Sequence, residues 1–248
     1  MELSAFFQEH PRVALAFSGG VDSAYLLYSA VKSAASVRAY YVKSAFQPQF
    51  ELDDAKRLAA YLNADLTVLS AEVLRCPQIA ENPADRCYHC KKLLFGLIAE
   101  QAMKDGYETL LDGTNASDNA EDRPGMRALR ELSVLSPLRE CGLTKDEIRL
   151  RSKEAGLFTW NKPAYACLAT RIPAGEPITS EKLERTECTE NTLFSLGFTD
   201  FRVRSSGDTA KLQICASQLA MVLEKRREIV DELKKYYKSV LLDLEART

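Results

Sequence analysis

Ser18-Gly19-Gly20-Val21-Asp22-Ser23 is the stretch of this sequence best suited to hold an anion. It follows the apolar run Val13-Ala14-Leu15-Ala16-Phe17 and precedes a helical pattern over residues 24–34. Two adjacent glycines let a backbone turn sharply and come close to an anion. A helix starting there adds unpaired N–H groups and a partial positive charge. The Ser18 and Ser23 hydroxyls supply further donors. Asp22 would repel a phosphate unless a cation stood between them, so it reads as a Mg2+-linked residue. No Gly-Lys-Ser/Thr follows, so this is not a Walker A loop. The competing reading is a plain strand-to-helix turn with Ser23 as its cap.

Sulfur is the second theme. Cys87-Tyr88-His89-Cys90 puts two of the seven cysteines in C-x-x-C spacing just before a helical pattern over 90–104. Cys167 sits in Ala166-Cys167-Leu168-Ala169-Thr170-Arg171. Cys76, Cys141, Cys188 and Cys215 show no spacing and read as small apolar residues or incidental thiols. The C-x-x-C has four readings: redox dithiol, half a zinc site, part of an iron–sulfur site, or chance. Zinc wants a fourth soft ligand, and His89 inside the pair points poorly for it. A thioredoxin-like dithiol lacks its surrounding pattern. Three cysteines could hold a 4Fe-4S cluster and leave one iron without a protein ligand. Spacing alone does not bring Cys167 to the pair, so all four readings stay open on the residues.

These groups need a scaffold, and the first half of the chain alternates strand and helix signals. Residues 13–17 read as a buried parallel strand. Residues 24–34 predict a helix with Leu26, Leu27, Ala30 and Val31 on one face. Residues 37–42, 66–69 and 109–111 predict further strands, and 90–104 a helix. Residues 50–62 predict a helix whose acids (Glu51, Asp53, Asp54) precede its bases (Lys56, Arg57), matching the helix dipole. Residues 144–155 predict a helix opened by a capping box of Thr144 and Glu147. Such alternation implies an α/β fold, a parallel sheet with helices on both faces. Ligands of such sheets sit at the carboxyl ends of the strands. The glycine loop and Asp112-Gly113-Thr114-Asn115 both fall there. Residues 158–179 carry Pro163, Pro173, Gly175 and Pro177 and read as an ordered loop or linker. A helix over 180–196, strands over 201–204 and 210–214 and a basic amphipathic helix over 219–237 suggest a small α+β domain.

The 248 residues suit one large domain or two modest ones. Composition, 46% hydrophobic and 27% charged, is that of an ordinary globular chain. A net charge of −2 exerts no global pull on nucleic acid, leaving only a diffuse basic patch near Arg202 and Arg204. No run approaches the ~18 apolar residues of a membrane span. Residues 1–17 do not read as a signal peptide, so the expected compartment is the cytoplasm. Reducing conditions there direct clustered cysteines to metal ligation or catalysis.

The glycine loop matches the pattern SGGxDS and resembles the PP-loop ATP pyrophosphatases. These share an adenine nucleotide alpha hydrolase-like fold and split ATP between its α and β phosphates. The resemblance implies that Ser18, Gly19, Gly20, Asp22 and Ser23 serve the pyrophosphate and its Mg2+. It also implies that Ser44, Gly113 and Thr114 meet the nucleotide. Residues 82–92, 112–115, 143–149 and 167–173 together resemble the LarE family, and the similarity runs from the glycine loop to the last strands. That resemblance implies adenylation of a carboxylate of pyridinium-3,5-biscarboxylic acid mononucleotide, then its conversion to a thiocarboxylate, for the nickel-pincer cofactor of lactate racemase. The family has two sulfur sources. The cysteine matching Cys167 gives up its own sulfur, or it joins a C-x-x-C pair in binding a 4Fe-4S cluster that delivers sulfide. With Cys87, Cys90 and Cys167 all present, the cluster type is expected. Arg202 and Arg204 fit two substrate-phosphate arginines, whereas Ser205, Ser206 and Gln213 depart from the family pattern.

The expected organisation is then a PP-loop domain over 1–165, a cysteine-bearing loop over 166–179 and a substrate-binding or oligomerisation domain over 180–248. A small pyridinium nucleotide is the expected partner, with a homo-oligomeric assembly and neither membrane nor nucleic acid. Asp22 and Cys167 are the expected catalytic residues. Arg86, Lys91, Lys92 and Arg171 are expected to favour thiolate at the cysteines. Three other functions compete. An ammonia-using synthetase of the NAD synthetase kind leaves the cysteines idle. A tRNA thiolase wants a basic face. A regulator would bind adenine nucleotide around a structural metal without catalysis.

Overall fold

Strands buried on both faces read as unbroken apolar sequence, and Val13, Ala14 and Leu15 are fully buried. In the computed structural model, which describes residues 2–118 and 124–247, they lie in β1 (Arg12–Ala16). Met1, at the head of the N-terminal stretch, lies outside the described residues. β2 (Ser36–Lys43), β3 (Asp65–Ser70) and β4 (Thr109–Leu111) complete a parallel sheet ordered β3-β2-β1-β4. Leu15 pairs with Ala39 on one side and with Leu111 on the other. Successive connections therefore leave β1 in opposite directions, and the crevice between the ends of β1 and β4 is a topological switch point.

Helices cover this sheet. Leu26 and Leu27 of the helix Val21–Lys32, Ala55 and Leu58 of Gln49–Tyr61 and Ile148 of Lys145–Glu154 join Leu15, Ala39 and Leu111 in one buried core. The capping box forms as expected: Thr144 N donates to Glu147 Oε2 at 2.8 Å, and Thr144 accepts from Glu147 N. Two helices start earlier than their apolar pattern suggests. The first begins at Val21, because its first turn holds the short polar residues Asp22 and Ser23. The helix Arg86–Lys104 contains both cysteines of the C-x-x-C, which was expected to precede it.

The chain divides into two compact units. One comprises Met1–Val73 and Asp85–Tyr165, the other Leu74–Ala84 and Ala166–Thr248. The second unit has a mixed sheet of β5 (Phe201–Ser206), β6 (Thr209–Ile214) and β7 (Ser239–Leu242). β5 and β6 are antiparallel and joined by Gly207 and Asp208, with Gly207 at φ 51°, as a tight hairpin needs. Phe198, Phe201, Val203, Leu212 and Leu233 form its core. The single helix expected over 219–237 is two, Leu219–Glu224 and Arg226–Leu233, parted at Lys225 (φ −93°, ψ 11°) with no glycine or proline there. Within this unit Asn82, at φ 57°, donates from its amide to Pro173 O (2.7 Å) and Glu176 O (3.1 Å). Its own carbonyl accepts from Gly175 N at 2.8 Å. Residues 166–179 are thus part of this unit, stapled to the 74–84 segment. Among the described residues no helix is long and apolar enough to cross a membrane.

Candidate active site

The glycine loop is held by its own hydroxyls. Ser18 Oγ and Ser23 Oγ lie 3.1 Å apart, and Ser18 N donates to Ser23 Oγ at 3.3 Å. Ser23 Oγ can donate to Gly20 O, and Gly20 N donates to Ser18 Oγ. Gly20 is the N-cap of the following helix, so that helix's first N–H groups face the loop without intrahelical partners. Gly19 sits at φ 72°, and a Cβ there would lie 3.2 Å from Ala55 Cβ, so both conformation and space require glycine.

A cavity of about 530 Å3 opens at the switch point, within the size range of small-molecule sites. Ser18, Asp22, Ser23, Asp112, Gly113 and Thr114 line it from the two strand ends. Lys91 and Cys87 line it from the helix Arg86–Lys104. Asp112 is buried and satisfied: Oδ1 accepts from Ser136 Oγ at 2.7 Å and Oδ2 from the Thr114 hydroxyl. Asp22 is different. Its Oδ2 accepts from Lys145 Nζ at 2.5 Å, while its Oδ1 is buried without a hydrogen-bond partner. Burial pushes its carboxyl above the usual range, and the Lys145 ammonium opposes that rise. A buried carboxylate oxygen lacking a donor fits a divalent cation, as expected for Mg2+. Ser44 is placed elsewhere: it is buried, and its hydroxyl donates to Gln47 Oε1 at 2.7 Å.

Gly113 packs against the loop across the crevice. A Cβ there would stand 3.0 Å from Ser23 N, against backbone that cannot yield cheaply. Gly113→Ala should push the two strand-end segments apart at an overpacking cost of about 1–3 kcal/mol. AMP titration by calorimetry should show about tenfold weaker binding, and unchanged affinity would refute this packing role.

The cysteines divide between the units. Cys87 and Cys90 stand one turn apart on one helix face, Cys87 exposed and Cys90 half-buried. Arg86 Nη2 lies 3.7 Å from Cys87 Sγ, whereas Lys92 is engaged by Glu131 at 3.0 Å. Cys167, half-buried, belongs to the second unit. Two thiols on one helical turn suit two positions of a cluster. Among the described residues no three His, Cys, Asp or Glu side chains assemble as a metal-holding group.

Cys167 opens a short 3-10 turn, Leu168–Arg171, that hangs on one buried arginine. Arg171 is fully buried and meets Glu190 twice, Nε to Oε1 at 2.7 Å and Nη2 to Oε2 at 3.1 Å. Its Nη1 donates to Ala166 O at 2.9 Å. The guanidinium therefore anchors the backbone at Cys167, where the sequence suggested support of its thiolate. Arg171→Met would strand a buried carboxylate and should destabilise the chain by about 3–5 kcal/mol in denaturant unfolding. Arg171→Met combined with Glu190→Leu should recover much of that. A loss under about 1 kcal/mol in the single variant would contradict the anchor.

The second unit has its own cavity, about 510 Å3, lined by Arg204, Ser205, Ser206, Thr209, Lys211 and Gln213 among others. Arg204 is held by neutral acceptors, Gln213 Oε1 at 2.7 Å and Thr170 O. Burial and the charges of Arg171 and Arg247 lower its pKa. Arg202 is buried, donates to Phe201 O at 2.6 Å and is not among the lining residues. Lys211, paired with Asp243 at 2.8 Å, lines this cavity with the cations Arg204 and Arg171 and was missed in the sequence. Lys145 and Asp118 were missed likewise. A lysine in the first turn of a helix opposes the dipole, and that misfit was the available signal.

No protein-family model matches the chain. An uncharacterized protein of Synechocystis sp. is 35% identical over 98% of this chain and 92% of its own. A pyridinium-3,5-bisthiocarboxylic acid mononucleotide synthase of Lactiplantibacillus plantarum is 31% identical over 98% of this chain and 89% of its own. A tRNA-specific 2-thiouridylase of Thermotoga maritima is 24% identical over 61% of this chain and 54% of its own. A parallel sheet carrying the glycine loop at its switch point, together with 31% identity to that synthase over nearly the whole chain, shows that the chain belongs to the LarE family of pyridinium-3,5-bisthiocarboxylic acid mononucleotide synthases.

Proposed function

We propose that this protein is an ATP-dependent sulfurtransferase. It adenylates a carboxylate of pyridinium-3,5-biscarboxylic acid mononucleotide and replaces it with a thiocarboxylate, for nickel-pincer cofactor synthesis. The observation that carries the reading is the cavity at the switch point, where the glycine loop, Asp22 and Cys87 line one space.

A carboxylate is a poor electrophile, because its charge is delocalised and oxide is a very poor leaving group. Its oxygen attacks the α-phosphorus of ATP, the bond to pyrophosphate breaks, and an acyl adenylate forms. The loop N–H groups and the Ser18 and Ser23 hydroxyls receive the charge on the phosphates. Asp22 Oδ1 and its neighbourhood would hold Mg2+, which when bound neutralises the departing pyrophosphate. Sulfur then attacks the acyl carbon and AMP leaves. We assign sulfur supply to Cys167, with Cys87 and Cys90 as its companion ligands. A 4Fe-4S cluster on these three, when bound, supplies a labile sulfide. Arg204 and Lys211 would receive the phosphate of the pyridinium nucleotide, with Arg202 supporting them from within. The residues around Cys167 exclude water while sulfur arrives, because acyl adenylates hydrolyse. A homo-oligomer in the cytoplasm completes the reading, and light scattering after gel filtration tests the oligomer.

Similarity to thiouridylases favours one second reading, thiolation of tRNA. One anaerobic assay separates the two. Pyrophosphate release should depend on the pyridinium acid, and mass spectrometry should show oxygen exchanged for sulfur in it. Release indifferent to that acid but stimulated by tRNA would reverse the choice. Iron and sulfide analysis of the anaerobically purified protein tests the cluster.

A further inference from the structure

The cavity of the second unit is walled by one face of the β5–β6 hairpin. Strand alternation puts Arg204 and Ser206 of β5 on that face, with Thr209, Lys211 and Gln213 of β6. Arg204 and Lys211 are direct cross-strand partners. Like charges placed directly opposite each other repel, so this pair costs stability unless an anion lies between them.

Arg204 is also left with its charge unspent. Lys211 is paired with Asp243 at 2.8 Å, and Arg171, the third cation of the wall, with Glu190 at 2.7 Å. Arg204 instead donates to two neutral oxygens, Thr170 O and Gln213 Oε1. Gln213 thus stands between two charges. Its Oε1 accepts from Arg204 Nε at 2.7 Å, and its Nε2 donates to Asp243 Oδ2 at 3.0 Å. A guanidinium can only donate and a carboxylate can only accept, so these neighbours fix which way the amide points. A glutamate of the same length would pair with Arg204 and would face Asp243 as a second carboxylate. Arg204, Lys211 and Asp243 together leave this wall one positive charge, and that glutamate would cancel it.

We propose that Gln213 is a positioning residue that gives this cavity its anion specificity: it holds Arg204 without neutralising it, so that the site takes a phosphate dianion. This deepens the reading of the cavity as the seat of the pyridinium nucleotide's phosphate and rests on it. Gln213 acts through Arg204, which keeps a full charge for a charge-assisted hydrogen bond to the ligand.

Calorimetry with inorganic phosphate on the full chain tests this, with Arg204→Met marking the binding that belongs to this cavity. Gln213→Glu should weaken that binding about tenfold or more, whereas Gln213→Met, neutral but unable to bridge, should lose no more than about threefold. In turnover at saturating ATP, Gln213→Glu should raise KM for the pyridinium acid by about the same factor and leave kcat within about twofold, because the phosphate is unchanged by the reaction. Phosphate affinity kept in Gln213→Glu would overturn the proposal. An equal loss in Gln213→Met would overturn it too, as the mark of a residue needed for its hydrogen bonds and not for its lack of charge. Absence of phosphate binding in the parent chain, or binding untouched by Arg204→Met, would remove the phosphate reading of the cavity and this role together.

Discussion

Asp22→Ala should lower ATP–pyrophosphate exchange at least about 100-fold and abolish sulfur transfer with it. The expectation follows from where this carboxylate stands. It is in the first turn after the glycine loop, one oxygen on Lys145 and the other buried without a donor. Removing it would take away the carboxylate proposed to hold Mg2+ and leave the Lys145 ammonium without this partner. AMP lacks the departing pyrophosphate and should still bind. Exchange retained within about tenfold would place the metal on other residues. Asp22→Asn separates charge from shape: the amide keeps the volume, and it too should fail.

Cys167→Ala should have the opposite signature. Thiolated product should vanish while substrate-dependent pyrophosphate release stays within about twofold, since the nucleotide cavity lies wholly in the first unit and Cys167 in the second. The variant should keep its fold, because Arg171 grips the carbonyls at 166 and 167, and alanine leaves these in place. The acyl adenylate should then be lost to water, giving AMP and the starting acid. Normal thiolated product from Cys167→Ala would remove this cysteine from the sulfur step. Equal loss of pyrophosphate release would instead give it a part in adenylation.

What the sequence disclosed is mostly local. The apolar run of β1, the glycine pair and the capping box of Thr144 with Glu147 are each set by neighbours within a few residues. Helix starts were misjudged where polar residues fill the first turn, at Val21 and at Arg86, because apolar periodicity begins a turn later. β7, only four residues long, offers too little alternation to read. The site was half legible. Asp22, Gly113 and Thr114 fall at strand ends, where topology alone puts ligands. The Lys145–Asp22 pair joins residues far apart in the chain, and no local pattern announces it. Arg202 and Arg204 share a face by strand alternation, yet burial separates them, and burial depends on what packs above the strand.

The staple at Asn82 has a consequence for how the molecule is made. The chain enters the second unit at residue 74, leaves it at 85 and returns at 166. Asn82 emerges from the ribosome 91 residues before Pro173, the carbonyl it will hold. At ordinary translation speeds that is a wait of roughly 5 to 20 s. The turn bearing Cys167 therefore closes late, on a segment already waiting for it. A fragment starting at residue 166 would lack that clasp however long it was given to fold.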